Sequence, residues 1–173
     1  MSRQHGLTGD DLPDGGPSTV SDRDTPGVRV PPPLVFLATI LAGVAIDRAL
    51  PLPIVPIAVA GWLGGALVVV GLMISGLSAR EFRKAKTTIQ PNHPASTLVE
   101  TGPFRYSRNP MYFALTIVQV GLGVWINSAW VLVLLVPTLI WIRHGVIARE
   151  ERHLDAKFGQ AYVAYQARVR RWL

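Results

Sequence analysis

Two short runs hold most of the residues that could do chemistry. The first is Gly102-Pro103-Phe104-Arg105-Tyr106-Ser107-Arg108-Asn109-Pro110-Met111-Tyr112, and the second is Arg149-Glu150-Glu151. In the first, Gly-Pro signals a turn. Asn109–Pro110 signals a helix start, because asparagine caps free N–H groups and proline is preorganised at the first helical position. Any helix needs some such start; the density of Arg105, Tyr106, Arg108 and Tyr112 around this one goes beyond that need. A helix N-terminus with nearby arginines binds an anion such as a carboxylate. The second run supplies carboxylates, and taken alone it reads as a solvated charge run. Folded beside the first, it makes a site with anion-binding donors on one side and carboxylates on the other. A zwitterionic, cationic cofactor fits such a site, its carboxylate on the first run and its ammonium on the second. Tyr106 and Tyr112 would cover an adenine ring or face a cation.

The elements that must position these runs are apolar. Val30 to Ile46 is 17 residues without a charge, Ala49 to Ala79 is 31, and Asn109 to Ile142 is 34. About 20 apolar residues cross a bilayer. The first run predicts one span, about 33–48, with Asp47–Arg48 at the interface. In the second, Pro51, Pro53 and Pro56 mark a turn and leave a span of about 57–77. Gly61 and Gly65 form a small-xxx-small pair suited to close helix contact, although simple small-residue content explains them as well. A single helix over the third run would be ~50 Å long, too long for a ~30 Å hydrocarbon core. Asn127–Ser128, flanked by Trp125 and Trp130, therefore reads as a turn at the far interface. The run becomes a helical hairpin, about 111–125 and 129–142, and the hairpin returns Arg149–Glu151 to the depth of Asn109.

The chain is thus an all-α, polytopic membrane protein of about four transmembrane helices. Its 173 residues make one domain, expected over 33–173, behind an N-terminal tail over 1–32 in which three arginines face five aspartates. With no apolar periodicity the tail reads as disordered, and with no early apolar stretch it is not a signal peptide. A loop over 80–108 carries six cations against two carboxylates. The stretch from Arg143 on carries seven cations against three carboxylates. Four spans put both basic segments and both termini on one side, which the positive-inside rule makes cytoplasmic. The net charge of +6 is accounted for in this way rather than by nucleic acid. Leu154, Phe158, Tyr162, Tyr165, Val169 and Trp172 recur at helical spacing and predict an interfacial amphipathic helix over 149–172, or a face packed on another protein. There is no cysteine and there are four scattered histidines, so no metal site is expected. Gly61-Trp62-Leu63-Gly64-Gly65 lies inside an apolar span and is no dinucleotide loop.

The run Gly102–Tyr112, followed by Arg149-Glu150-Glu151, Leu154, Phe158-Gly159, Tyr162, Tyr165 and Val169, resembles the isoprenylcysteine carboxyl methyltransferase and phospholipid methyltransferase family of integral membrane enzymes. The resemblance covers about residues 85–172. It implies S-adenosylmethionine as methyl donor and a lipid-like, amphiphilic acceptor entering from the bilayer. By position it implies a cofactor site of Gly102, Arg105, Tyr106, Arg108, Asn109, Pro110, Tyr112, Glu150 and Glu151, with Glu151 and Arg149 at the reaction itself. Arg143 or Arg149 would hold an acceptor carboxylate, although Arg143 reads better as a positive-inside anchor. His93 would be a general base, although a loop histidine without function is the plainer reading. The chain departs from the family at Asn109, where the family usually has His. Asparagine suffices if that side chain only hydrogen-bonds, and it does not if the side chain moves a proton. Two other readings stay open: an NADPH-dependent membrane reductase of related fold, and a non-catalytic membrane protein. A reductase would favour extra cations for a 2′-phosphate, and Glu150–Glu151 speak against that.

Overall fold

A computed structural model describes residues 30–85 and 97–173. Most of the tail over 1–32, and His93, lie outside the described residues. Those described are helical, without a strand among them: α1 (Pro32–Ala49), α2 (Ile57–Lys84), a 3-10 turn at Gly102–Arg105, α3 (Pro110–Ile126) and α4 (Ala129–Trp141). From α4 the chain passes through a wide π-type turn, Ile142–Ile147, into α5 (Ala148–Phe158), then α6 (Gln160–Arg168). Proline opens the first three helices, at Pro31–Pro32, Pro56 and Pro110, where its missing N–H costs nothing.

Three of these helices are long and apolar enough to cross a membrane: Pro32–Ala49, Ile57–Lys84 and the continuous Ala129–Phe158. Their windows have mean hydropathies of 1.5, 2.3 and 2.0, and most of their surface faces outward, as lipid-facing helices require. The fourth apolar helix, α3, has 17 residues and falls just short by length.

Apolar side chains gain nothing by leaving lipid for each other, so helices in a membrane must hold together by close approach and polar contacts. Both are present. α2 lies along α3, α1 lies along α4, and the α3–α4 hairpin joins the two pairs. Gly64 and Gly71 on α2 sit against Gly121 and Ala114 of α3 so closely that a Cβ at Gly121 would stand 2.7 Å from the Val68 nitrogen. The small pair expected to pack, Gly61 and Gly65, does not: nothing lies within 4 Å of a Cβ at either. Contact falls one residue away from Gly65, on the face that carries Gly64 and Gly71, because the pair that counts is set by the partner's small residues and not by spacing along one helix. Buried Gln119 donates to the Val131 carbonyl at 3.0 Å, and Thr138 Oγ1 donates to Thr39 Oγ1 at 3.2 Å. Polar contacts thus tie α1, α3 and α4 inside the bundle.

The turn at Asn127–Ser128 is where expected. Asn127 is left-handed (φ 60°), a conformation asparagine tolerates. Its Oδ1 accepts from the backbone N–H of Ile54 at 2.8 Å and of Val55 at 3.0 Å, and its Nδ2 donates to the Val55 carbonyl at 2.9 Å. The turn between α3 and α4 is therefore stitched to the one between α1 and α2, and Trp130 Nε1 adds a bond to the Leu50 carbonyl at 2.7 Å.

The single amphipathic helix expected over 149–172 is not formed. Gly159, at φ 50°, breaks it after Phe158, and helix ends again at Arg168. Its apolar residues do not form one outward face. Tyr162, Tyr165 and Val169 pack with Leu98, Leu154 and Phe158, and the Tyr165 hydroxyl donates to the Phe104 carbonyl at 2.7 Å. Trp172 leaves that group and packs against the core group that holds Ile142 and Val146. The periodicity is real, but the surface it meets is the loop of the same chain.

Packing by close backbone approach is sensitive to a single methyl group. Gly121→Ala should destabilise the protein by about 1–3 kcal/mol through overpacking, while Gly61→Ala should leave it within about 0.5 kcal/mol. Thermal unfolding of the two variants in detergent reads the difference; equal stability would deny the α2–α3 contact.

Candidate functional site

The site forms where the hairpin returns the chain to the start of α3. Ser107 to Asn109 cross from the 3-10 turn into that helix, and Glu150 and Glu151 occupy the first turn of α5. The Tyr112 hydroxyl donates to Glu150 Oε1 at 2.6 Å. Arg108 Nη1 lies 3.1 Å from Glu151 Oε1. The two runs separated in sequence are therefore in direct contact.

The π-type turn has a part in this. Its wide loop lets Ile142, Val146 and Ile147 all point into the core, each fully buried. It carries one residue more than an α-turn would, and Glu150 and Glu151 leave it facing the start of α3. Such turns are frequent at functional sites. Nothing in the residue types announces it, since Gly145 is its one helix-weakening member.

A third segment enters the site that neither run foretold. After α6, residues 169–173 turn back across the start of α3. Arg108 N–H donates to the Arg170 carbonyl at 3.0 Å. The Arg171 carbonyl accepts from Asn109 Nδ2 at 3.1 Å and from Ser107 Oγ at 3.3 Å. The Arg171 guanidinium grips Glu151 with two bonds, Nε to Oε1 at 3.0 Å and Nη2 to Oε2 at 2.5 Å. Glu151 is thus held between two arginines, with only 12% of its side chain exposed. Those bonds to Glu151 hold the Arg171 guanidinium above its ordinary range, against the opposing effect of burial. Burial likewise pushes the Tyr165 hydroxyl up, keeping it a neutral donor to Phe104.

Asn109 is buried at the head of α3, but its side chain makes no capping bond; it holds the Arg171 carbonyl instead. The cap expected of it is a correction in role and not in place. Tyr106 and Tyr112 do not share one surface either. Tyr106 is 71% exposed, whereas the Tyr112 hydroxyl is committed to Glu150.

The expected cofactor residues divide between two flanks of one turn. Arg108, Asn109, Tyr112, Glu150 and Glu151 cluster together. Gly102, Arg105, Tyr106 and Pro110 instead line a groove of about 530 Å³ with Ile74, Leu77, Phe113 and Leu173. Gly102, at φ 60°, seats the turn against α2: a Cβ there would stand 2.8 Å from Glu81 Cγ. Thr101 Oγ1 donates to Glu81 Oε2 at 2.6 Å, and Phe82 meets Phe104 edge-on at 5.1 Å, so this flank braces the turn on α2. Arg149 and Arg143 are both exposed. Among the described residues no group of His, Asp or Glu is placed to hold a metal ion.

The residues that surround this site match a known family. The family model of the phospholipid methyltransferases matches residues 59–161, more than half of the chain. The chain belongs to that family. Membership supports a membrane methyltransferase with a lipid-like substrate. The matched stretch runs from the start of α2 into α6, so it includes both flanks of the turn and both glutamates, and stops short of Arg171. The chain is also similar to an uncharacterized protein of Haemophilus influenzae (strain ATCC 51907 / DSM 11121 / KW20 / Rd). The two are 37% identical over 63 residues, which are 36% of this chain and the whole of that protein. No solved structure matches the chain.

A carboxylate held between two arginines should matter more to stability than an exposed pair. Glu151→Gln should destabilise the folded protein by about 2 kcal/mol. Glu100→Gln, which loses the exposed bond from Arg168, should cost less than about 0.5 kcal/mol. Chemical unfolding in detergent measures both, and equal losses would contradict the ion cluster.

Proposed function

We propose that the chain is an integral membrane S-adenosylmethionine-dependent methyltransferase acting on a lipid-like or isoprenoid acceptor. The observation that carries this is the meeting of Arg108 with Glu151, and of Tyr112 with Glu150, inside the stretch matched by the family. The residues present fit the donor. Arg108 Nε and Nη1 are buried and make no hydrogen bond among the described residues; Nη1 is near Glu151 but off the line a bond needs. Buried guanidinium donors without acceptors suit a carboxylate. Glu151 and Glu150 beside them suit an ammonium or ribose hydroxyls. Gly102, Arg105, Tyr106 and Pro110 reach the same cofactor only from the far flank of the turn. Asn109 serves through the backbone it holds.

When bound, S-adenosylmethionine supplies an electrophilic methyl group on its sulfonium sulfur. The protein is then left with alignment and exclusion of water. Arg108 and Glu151 fix one end of the donor, and Tyr112 orients Glu150. Arg149, one residue before them on the exposed side, faces an acceptor carboxylate or phosphate. The groove on the other flank is walled by Ile74, Leu77, Phe113 and Leu173, and suits an acyl or prenyl chain. An acceptor lying there brings its polar end to the turn that also carries Arg108.

The topology belongs to the same proposal. α3 is counted as a fourth span, since its 17 residues continue a hairpin with α4 whose turn is tied to the α1–α2 turn. The domain is residues 33–173, with the basic segments and both termini cytoplasmic.

Two measurements test the proposal. Equilibrium binding of S-adenosylmethionine and of NADPH to the protein in lipid nanodiscs should show the first alone; NADPH binding alone would move the chain to a reductase, and binding of neither would deny a donor site. The chain has no cysteine, so single cysteines report sidedness without background. Pro53→Cys should react with an impermeant maleimide from outside intact cells, and Arg152→Cys only after permeabilisation. The reverse pattern would invert the topology, and labelling of both would break the four-span count.

A further inference from the structure

The residues that close the site lie beyond the family's matched stretch, which ends at residue 161. Residues 169–173 are not helical, yet they are tied to the rest of the site. Their carbonyls at Arg170 and Arg171 take three hydrogen bonds from the start of α3: from Arg108 N–H, Asn109 Nδ2 and Ser107 Oγ. Trp172 packs against the buried group that includes Leu135, Ile142 and Val146. Leu173 lines the groove on the other flank. The segment therefore stands between the two flanks, with Arg171 on the carboxylate side and Leu173 on the groove side.

We infer that this C-terminal segment is a wall of the donor site, and that Arg171 is a positioning residue which sets the carboxylate of Glu151 for the donor, with Asn109 as the clamp that holds Arg171 in place. The inference rests on the proposed donor reading. Three features of the geometry carry it. The two bonds from Arg171 to Glu151 use both carboxylate oxygens, so the plane of the carboxylate is fixed and not merely its position. The Arg171 backbone is anchored, because its carbonyl is tied twice at the head of α3. Both arginines face the same carboxylate: Arg108 and Arg171 flank Glu151. Removing Arg171 leaves Glu151 with one arginine beside it. Glu151 would then turn toward Arg108 alone and cover the guanidinium donors that are without acceptors.

Asn109 suits the clamp for a chemical reason. The place calls for an N–H donor to a backbone carbonyl. An amide supplies the donor without a charge. A neutral imidazole would supply it equally, so Asn109→His should be accepted, whereas Asn109→Leu, close in size and without a donor, should not.

The test is S-adenosylmethionine binding by calorimetry, in nanodiscs, to the wild-type chain and to Arg171→Gln, Arg171→Lys, Asn109→Leu and Asn109→His. Binding is measured below the unfolding temperature of every variant and referred to folded protein, so a loss of stability alone would leave the affinity unchanged. Arg171→Gln and Asn109→Leu should weaken binding roughly tenfold, the size expected for losing a charge-assisted contact or its support. Arg171→Lys, with charge but no fork, should recover part of the loss, and Asn109→His most of it. Wild-type binding with unchanged or tighter affinity in Arg171→Gln would overturn the positioning role alone; tighter affinity would make Arg171 a competitor for the donor's place. No binding by the wild-type chain would sink the donor reading, and this inference with it.

Discussion

The ion cluster of Arg108, Glu151 and Arg171 is the constraint on which the rest of this structure depends. Half-buried charges are costly unless each finds its partner in good geometry. The three come from the loop before α3, the start of α5 and the segment after α6. No local feature of the chain can assemble them. The α3–α4 hairpin must return at the right depth, the π-type turn must present the glutamates to α3, and α6 must end so that residues 169–173 fold back. An error of one residue in any of these elements turns a side chain by about a quarter of a turn on its helix. It would leave an unpaired charge at the membrane boundary.

The cluster is positioned by the bundle above it. In lipid the helices gain little from burying apolar side chains, so shape must hold them. Gly64, Gly71 and Gly121 bring α2 and α3 into backbone contact, and Asn127 joins the two far turns. The α3 helix, short by length, is the most enclosed part of the bundle: it touches α1, α2 and α4. Its ends are also the best tied, Asn127 at one and Ser107–Asn109 at the other. A helix packed on three sides presents little surface to lipid.

Much of this is legible in the residues, and the division between what is and is not follows from physics. Uncharged runs and the Asn127–Ser128 break depend on local composition, so the helices and the hairpin can be read. The hairpin in turn implies that Arg108 and Glu151 meet, and they do. What cannot be read depends on the partner of a face. The Tyr162–Tyr165–Val169 periodicity is the same whether that face meets lipid, another protein or the loop at Leu98–Phe104. Gly61–Gly65 and Gly64–Gly71 are equally plausible seams until Gly121 chooses one. The π-type turn carries no marker stronger than Gly145. In sequence Arg171 is one more basic residue near a membrane, because only the return of the last five residues makes it a partner of Glu151.

Asparagine where the resemblance implies a histidine then has a physical account. If the side chain at this position moved a proton, Asn109 would be disabling. Its surroundings point to a different role. It is buried, its amide donates to the Arg171 carbonyl, and it stands next to Arg108. A neutral histidine in this place would act as a hydrogen-bond donor, the part that asparagine plays without any titration. Methyl transfer from a sulfonium needs no acid on the donor's side. The position can therefore vary between two donors of similar reach while the arginines and glutamates around it do not have to change.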